Sequence, residues 1–75
     1  MDDSVTITLS RNDLGQILDG LECRCDTWRA TARYLMGEDI GAQAIEECSD
    51  AAEASAIAAT YERIMDAMRV QLNPR

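Results

Sequence analysis

The fold is decided by residues 14–35, which read LGQILDGLECRCDTWRATARYL. Apart from Ile17, which widens the stripe, the apolar residues recur at alternating steps of four and three: Leu14, Leu18, Leu21, Cys25, Trp28, Ala32 and Leu35. This spacing places them on one face of an α-helix. Ser10, followed three residues later by an acid, is typical of a helix N-cap, and Gly37 is typical of a helix end. We therefore predict a first helix at residues 11–36.

A second apolar stripe at helical spacing predicts another helix at residues 50–72. Its members are Ala54, Ile57, Tyr61, Ile64, Met65, Met68 and Leu72. Asp50 and Glu53 are spaced as a capping box at its start, because an acid at the third helical position can bond back to the cap. Asn73-Pro74 is expected to end the helix, since proline does not continue one.

The two helices predict an all-α fold, an antiparallel helical hairpin that forms one domain over residues 1–75. The connection at residues 37–49 is expected to carry one or two helical turns at residues 42–47, which would lay apolar side chains onto the hairpin: Ile40, Ala44 and Ile45. An extended arm at residues 1–9 precedes the first helix. Within the arm, Val5–Leu9 alternates apolar and polar residues, which is typical of a short strand.

That strand has no partner within the chain, and two helices cannot cover both apolar stripes. A twofold homodimer would pair the two strands and cover the apolar stripes by forming a four-helix bundle with paired arms. The residues expected in the core or the dimer interface are Val5, Ile7, Leu9, Leu14, Leu18, Leu21, Trp28, Leu35, Ile57, Tyr61, Ile64 and Met68. The alternative is a monomer in which the connection covers the hairpin and the N-terminus frays.

Charge is concentrated in the middle of the chain. Between Tyr34 and Glu62 there are seven acids and no base, while the rest of the chain is nearly balanced, and the net charge is −7. Such a one-signed zone attracts basic partners and repels nucleic acid and anionic membranes. The candidate partner-binding residues are Glu38, Asp39, Glu46, Glu47, Asp50 and Glu53. We expect a basic protein partner, with no direct binding to nucleic acid or membrane.

The chain offers little for catalysis or metal binding. It has no histidine for a catalytic triad, no lysine for a Schiff base and no glycine-rich phosphate loop. Cys23 and Cys25 lie on opposite sides of the predicted helix and cannot chelate one ion, so Cys25 is interpreted as a stripe residue. Cys48 is considered as an exposed thiol. We expect no enzyme activity, no cofactor and no metal; the odd cysteine count and the lack of a signal peptide favour the cytoplasm.

A strand followed by two helices also suggests a ribbon–helix–helix DNA reader. Thr6 and Thr8 could face a major groove, but Asp2 and Asp3 flank them and Arg11 is the nearby base. With a net charge of −7, the release of counterions that drives DNA binding is missing. This remains the less favoured reading.

A short, acidic, lysine-free helical chain without a catalytic set resembles the small accessory proteins of phages, and in size and charge it is similar to the anti-CRISPR inhibitors. The resemblance covers the overall character of the whole chain and includes no motif. It implies an inhibitor that mimics nucleic acid on a basic surface of a defence complex, in the cytoplasm of a bacterial cell or an infected host. The alternative is a structural module that oligomerises through its apolar stripes, with the acids serving solubility.

Overall fold

The computed structural model describes residues 3–72 and contains two helices, α1 (Arg11–Leu35) and α2 (Ala51–Leu72). The helices pack against each other as an antiparallel hairpin, and the described residues form no strand. The predicted all-α hairpin is therefore confirmed. The expected helix end at Asn73-Pro74 and the first two residues of the arm lie outside the described residues.

Local hydrogen bonds define both ends of α1. At the start, the Ser10 hydroxyl accepts the backbone N–H of Asp13 at 3.0 Å, as an N-cap should. At the end, Gly37 has a φ of +92°, a left-handed conformation in which a side chain would be strained. The N–H groups of Gly37 and Glu38 donate to the carbonyls of Tyr34 and Arg33, which completes a Schellman motif.

The core lies between the facing stripes of the two helices. Its buried members are Leu18, Cys25, Trp28, Ala32, Ala54, Ala58 and Met65. Further side chains pack around them while remaining partly exposed: Leu21, Cys48, Ile57, Tyr61, Met68 and Leu72. The small residues of α2 let it approach α1 closely, because alanine keeps the helix axes near each other. The middle of the predicted stripe is thus the core of the single chain.

The edges of the two stripes are exposed in the single chain. Leu35 and Ile64, both expected in the core or an interface, are 41% and 36% exposed. Val5, Ile7 and Leu9 of the arm are also exposed. The physical reason is that a two-helix hairpin covers only the line where its helices meet. Their contribution to a dimer stays a prediction.

The connection does not form the helical turns that were expected at residues 42–47. The carboxylate of Asp39 accepts the N–H of Gly41, whose φ of +67° interrupts any helical path. The N–H of Glu46 is directed to the hydroxyl of Thr31 on α1, at 2.8 Å. Ile45 is exposed as a result. The prediction of helical turns was wrong because side chains supply the hydrogen bonds that a helix would otherwise make.

The connection instead lies along a second face of α1. Ala30 and Thr31 are almost completely buried, although neither belongs to the apolar stripe. Thr31 uses its hydroxyl twice, donating to the carbonyl of Thr27 and accepting from Glu46. Helix α1 is therefore covered on two sides. Within residues 3–72, neither helix combines the length and apolarity that crossing a membrane requires.

Candidate binding surfaces

The six candidate acids lie on the connection and on the first turn of α2, and we call them the acidic surface: Glu38, Asp39, Glu46, Glu47, Asp50 and Glu53. The backbone that carries them is ordered at three points. The Schellman motif orders its start, and the bond between Glu46 and Thr31 orders its middle. The capping box of α2 orders its end. The structure thus brings the candidates together on one continuous segment.

Glu46 differs from the other acids because an arginine neutralises it. Its carboxylate lies 2.6 Å from the guanidinium of Arg24 on α1. The same guanidinium lies over the ring of Trp28, with its central carbon 5.9 Å from the ring centroid. Glu46 therefore ties the connection to α1 by its side chain as well as by its backbone. Its charge is the least available of the six for a partner.

Asp50 and Glu53 form the predicted capping box. The Asp50 carboxylate accepts the N–H of Glu53 at 2.9 Å, and the Glu53 carboxylate accepts the N–H of Ser49 at 2.6 Å. Asp39 also accepts a backbone N–H, that of Gly41. These three carboxylates meet peptide dipoles and not cations, and acids are favourable near the start of a helix. All three order the backbone, and none of them forms a salt bridge with a described residue.

The carboxylates of Glu38 and Glu47 do not accept a backbone N–H of the described residues in this way. Both residues are exposed, and their side chains make no hydrogen bond or ion pair with the described residues. The acidic surface therefore presents five carboxylates without a salt bridge inside the described part of the chain: Glu38, Asp39, Glu47, Asp50 and Glu53. Glu38 and Glu47 can be substituted without removing a bond that holds the fold.

The seventh acid of the zone, Glu62, belongs to a separate network between the helices. Its carboxylate pairs with Arg29 on α1 and with Arg69 about two turns further along α2. Arg69 also reaches Glu22 across the hairpin at 2.9 Å, and Arg29 pairs with Asp26. The cross-helix contacts were not predicted, because their partners lie 33 or more residues apart.

A groove beside this network runs between the C-terminal half of α1 and the start of α2. It encloses about 640 Å³ and has small residues of α2 along one side, namely Ser55, Ala58 and Ala59. Arg33 lines it without an ion pair to any described residue. Arg29 and Arg33 balance Asp26 and Glu62 in its lining, so the groove favours no single charge of ligand.

A second groove lies at the other end of the hairpin, where the arm meets the first turns of α1 and the last turns of α2. We call it the arm groove, and it encloses about 580 Å³ between Ile7, Thr8, Leu9, Arg11, Leu14, Ile17, Met68, Gln71 and Leu72. Arg11 joins the two helices here by donating to the carbonyl of Leu72. Val5 and Ile7 are 87% and 72% exposed. Apolar side chains therefore dominate this end of the molecule.

The cysteines form no metal site in the described residues, where no cluster of three or more ligand-type side chains occurs. Cys25 is fully buried, and its thiol donates to the carbonyl of Ala58 at 3.5 Å. The interpretation of Cys25 as a stripe residue is confirmed. Cys23 is exposed on the opposite side of α1. Cys48 was considered as an exposed thiol, but it is half-buried against the core.

Comparison of the chain with models of protein families, with curated proteins and with solved structures finds no match. Its function must therefore be argued from its own surfaces. Two of them differ from an ordinary mixed surface: the acidic surface on the connection and the apolar arm groove.

Proposed function

We propose that this protein is a non-catalytic binding module, an inhibitor or regulator that uses the acidic surface to occupy a basic protein surface that otherwise binds nucleic acid. The observation that carries the proposal is a set of five carboxylates on one ordered segment, none of which forms a salt bridge within residues 3–72. Carboxylates can take the place of phosphates against arginine and lysine, because both are planar or tetrahedral oxygen acceptors for the same donors.

Order in the segment favours this role. The connection is bonded to α1 at its start and its middle, and to α2 at its end. A surface that is already ordered loses less conformational entropy when it binds, so more of its interaction energy contributes to affinity.

Electrostatics sets the class of partner. The carboxylates of the acidic surface add to the field of a chain with a net charge of −7, which accelerates encounter with a basic surface and opposes contact with nucleic acid. The resemblance to anti-CRISPR inhibitors in size and charge supports the same reading. The partner class is accordingly a nucleic-acid-binding protein complex, such as one used in cellular defence.

The test is a displacement experiment with defined components. A fluorescent DNA duplex is first bound to an arginine-rich peptide of about 20 residues, and its anisotropy is followed as the protein is added. We expect the protein to release the duplex by capturing the peptide. Release should weaken when salt is raised, because exposed charges are screened beyond about 8 Å at physiological ionic strength.

Matched variants locate the effect. Glu47→Lys alters the acidic surface, whereas Asp19→Lys makes the same change in net charge on the exposed part of α1 away from it. We expect Glu47→Lys to reduce displacement severalfold more than Asp19→Lys, with unchanged far-ultraviolet circular dichroism. Equal effects would show that only net charge matters and would contradict the proposal. Binding of the duplex by the protein itself would support the DNA-reader alternative.

The second candidate function is a structural module that oligomerises. The observation that favours it is the exposure of the apolar arm, which a module that works alone does not need. This function and the acidic surface are compatible, because they use opposite ends of the hairpin.

A further inference from the structure

We infer that the arm is a self-association element: Val5–Leu9 of one chain pairs antiparallel with Val5–Leu9 of a second copy, over the arm groove. This inference deepens the second candidate function and rests on it, because it names the partner of the arm and the register in which the two copies pair. It starts from the exposed side chains of the arm and from the groove beneath them.

The arm has the character of a strand that lacks its neighbour. Its apolar residues alternate with Thr6 and Thr8, so they can share one face of an extended chain. Residues 5–9 make no backbone hydrogen bond to another described element, and their peptide groups are available for a ladder. An exposed strand edge of this kind readily pairs with another chain.

The sequence of the arm selects one register. In an antiparallel pair centred on Ile7, Val5 lies opposite Leu9 of the second copy, and Ile7 lies opposite itself. Moving the centre by one residue in either direction leaves one apolar residue opposite Asp3 or Arg11. If the centre falls between two residues, the apolar residues of one chain lie opposite polar residues of the other, and the two chains present their apolar residues on opposite faces of the ribbon. Only the register centred on Ile7 matches every apolar residue with another.

Charge complementarity supports the same register. With Ile7 at the centre, Asp3 of one chain lies next to Arg11, the first residue of α1, of the other chain, and the twofold axis repeats the pair. A parallel pair in register would instead place Asp3 beside Asp3 and Arg11 beside Arg11. Opposite charges stabilise facing positions and like charges destabilise them. The ends of the arm thus favour the antiparallel arrangement.

The arm groove supplies the apolar surface that two short paired strands need for stability. A two-stranded ribbon alone is marginally stable in water and needs an apolar surface to pack on. The arm groove offers that surface through Leu14, Ile17 and Met68, and Ile17 is still 43% exposed in the single chain. The paired arms would cover these side chains in both copies. The acidic surfaces would then lie at the two far ends of the dimer.

The first test is sedimentation equilibrium of the full chain over a range of concentrations. We expect a dimer with twice the monomer mass of 8.3 kDa. Val5→Asp should shift the population to monomer. Val70→Asp is the matched control, since Val70 is also exposed but lies outside the arm groove. A wild-type monomer at the highest concentration, or a dimer that Val5→Asp leaves intact, would overturn the inference.

The second test concerns the register. Asp3→Arg should weaken the dimer, and adding Arg11→Asp should restore it, because the charges then face each other in reverse. Two symmetry-related pairs of facing charges predict a change in dissociation constant of about 2- to 30-fold. Thermal melts of each variant check the hairpin, because Arg11 also bonds to Leu72. Failure of the double variant to recover would exclude the register centred on Ile7.

These outcomes are separable from those of the proposed function. Val5→Asp leaves the acidic surface unchanged, so DNA displacement by each chain should persist if only the self-association fails. Glu47 lies outside the arm, so Glu47→Lys should leave the sedimentation behaviour unchanged even if it abolishes DNA displacement.

Discussion

The arm and the connection are the two non-helical segments within residues 3–72, and they differ in how they are held. The connection makes backbone and side-chain bonds to α1 and α2, including those of Glu46 to Thr31 and Arg24. The arm leads into Ser10, the cap of α1, while its own apolar side chains remain exposed. The connection is therefore held within the single chain, whereas the apolar side chains of the arm are left without cover in it.

The composition of each segment explains this difference. The connection carries acids whose oxygens accept backbone N–H groups, so it can satisfy its own polar groups. The arm carries β-branched apolar residues and two threonines, which need a neighbouring strand and an apolar surface. Substitutions at the core and along the connection can measure how firmly the connection is held, beginning with the largest expected effect.

The largest effect should come from Trp28, which is buried among the core residues and lines a cleft with Cys48 and Ser49 of the connection. Its indole N–H has no hydrogen-bond partner in the described residues, so the ring contributes by packing. We expect Trp28→Ala to lower the free energy of unfolding by roughly 3–5 kcal/mol, enough to unfold so small a domain. Urea denaturation followed by circular dichroism measures this. An unchanged midpoint would remove Trp28 from the core.

Thr31 should give the next largest effect. Thr31→Val keeps the shape of the side chain but removes the acceptor for the N–H of Glu46, and an unpaired group there costs about 1–3 kcal/mol. Thr60→Val is the control, because the Thr60 hydroxyl makes a similar bond to Ala56 on an exposed face. Amide hydrogen exchange at Glu46 should accelerate in the first variant alone. Equal losses of stability in both would mean that the connection does not depend on Thr31.

The hairpin was predictable because its signals are local. Periodicity places the stripes, Ser10 and Gly37 mark the ends of α1, and the capping box follows from the spacing of Asp50 and Glu53. The path of the connection was not predictable, because Glu46 bonds to a threonine fifteen residues earlier. One local signal was available: Asp39 followed by Gly41 is typical of an Asx turn and disfavours the helical turns that were expected.

The candidate site was predictable in position but not in detail. A count of charges along the chain locates the acidic surface, yet it cannot show that Arg24 neutralises Glu46 or that Asp39, Asp50 and Glu53 order the backbone. Those facts depend on which side chains meet after folding. They also explain why the binding test substitutes Glu47: reversing the charge of Glu46 or Asp50 would disturb the fold together with the acidic surface.

A smaller effect is expected from the cap of α2. Asp50→Ala removes the acceptor of the Glu53 N–H and should lower the free energy of unfolding by about 0.5–2 kcal/mol. Asp50→Asn retains the acceptor without the charge and should recover most of the loss. Chemical denaturation of the three proteins measures the difference. If Asn and Ala are equally destabilising, charge at the helix start is the main contribution, and the hydrogen bond to Glu53 contributes little.

The smallest effect should come from the ion pair between Arg24 and Glu46. Single substitutions are ambiguous, because Arg24 also lies over Trp28 and Glu46 also donates its N–H to Thr31. A double-mutant cycle with Arg24→Ala and Glu46→Ala cancels those separate losses and leaves the coupling between the two side chains.

We expect this coupling to be roughly 0.2–1 kcal/mol, the range for exposed pairs, and to fall as salt is added. Both side chains retain solvent contact, at 49% and 29% exposure, so water screens the pair. The cycle for Asp26 and Arg29, a pair within α1, is the reference. If Arg24 and Glu46 couple no more strongly than this reference, the hydrogen bond to Thr31 holds the middle of the connection. A markedly stronger coupling would mean that the charge of Glu46 is itself needed to place the acidic surface against α1, and that the five other acids of that surface depend on it for their position.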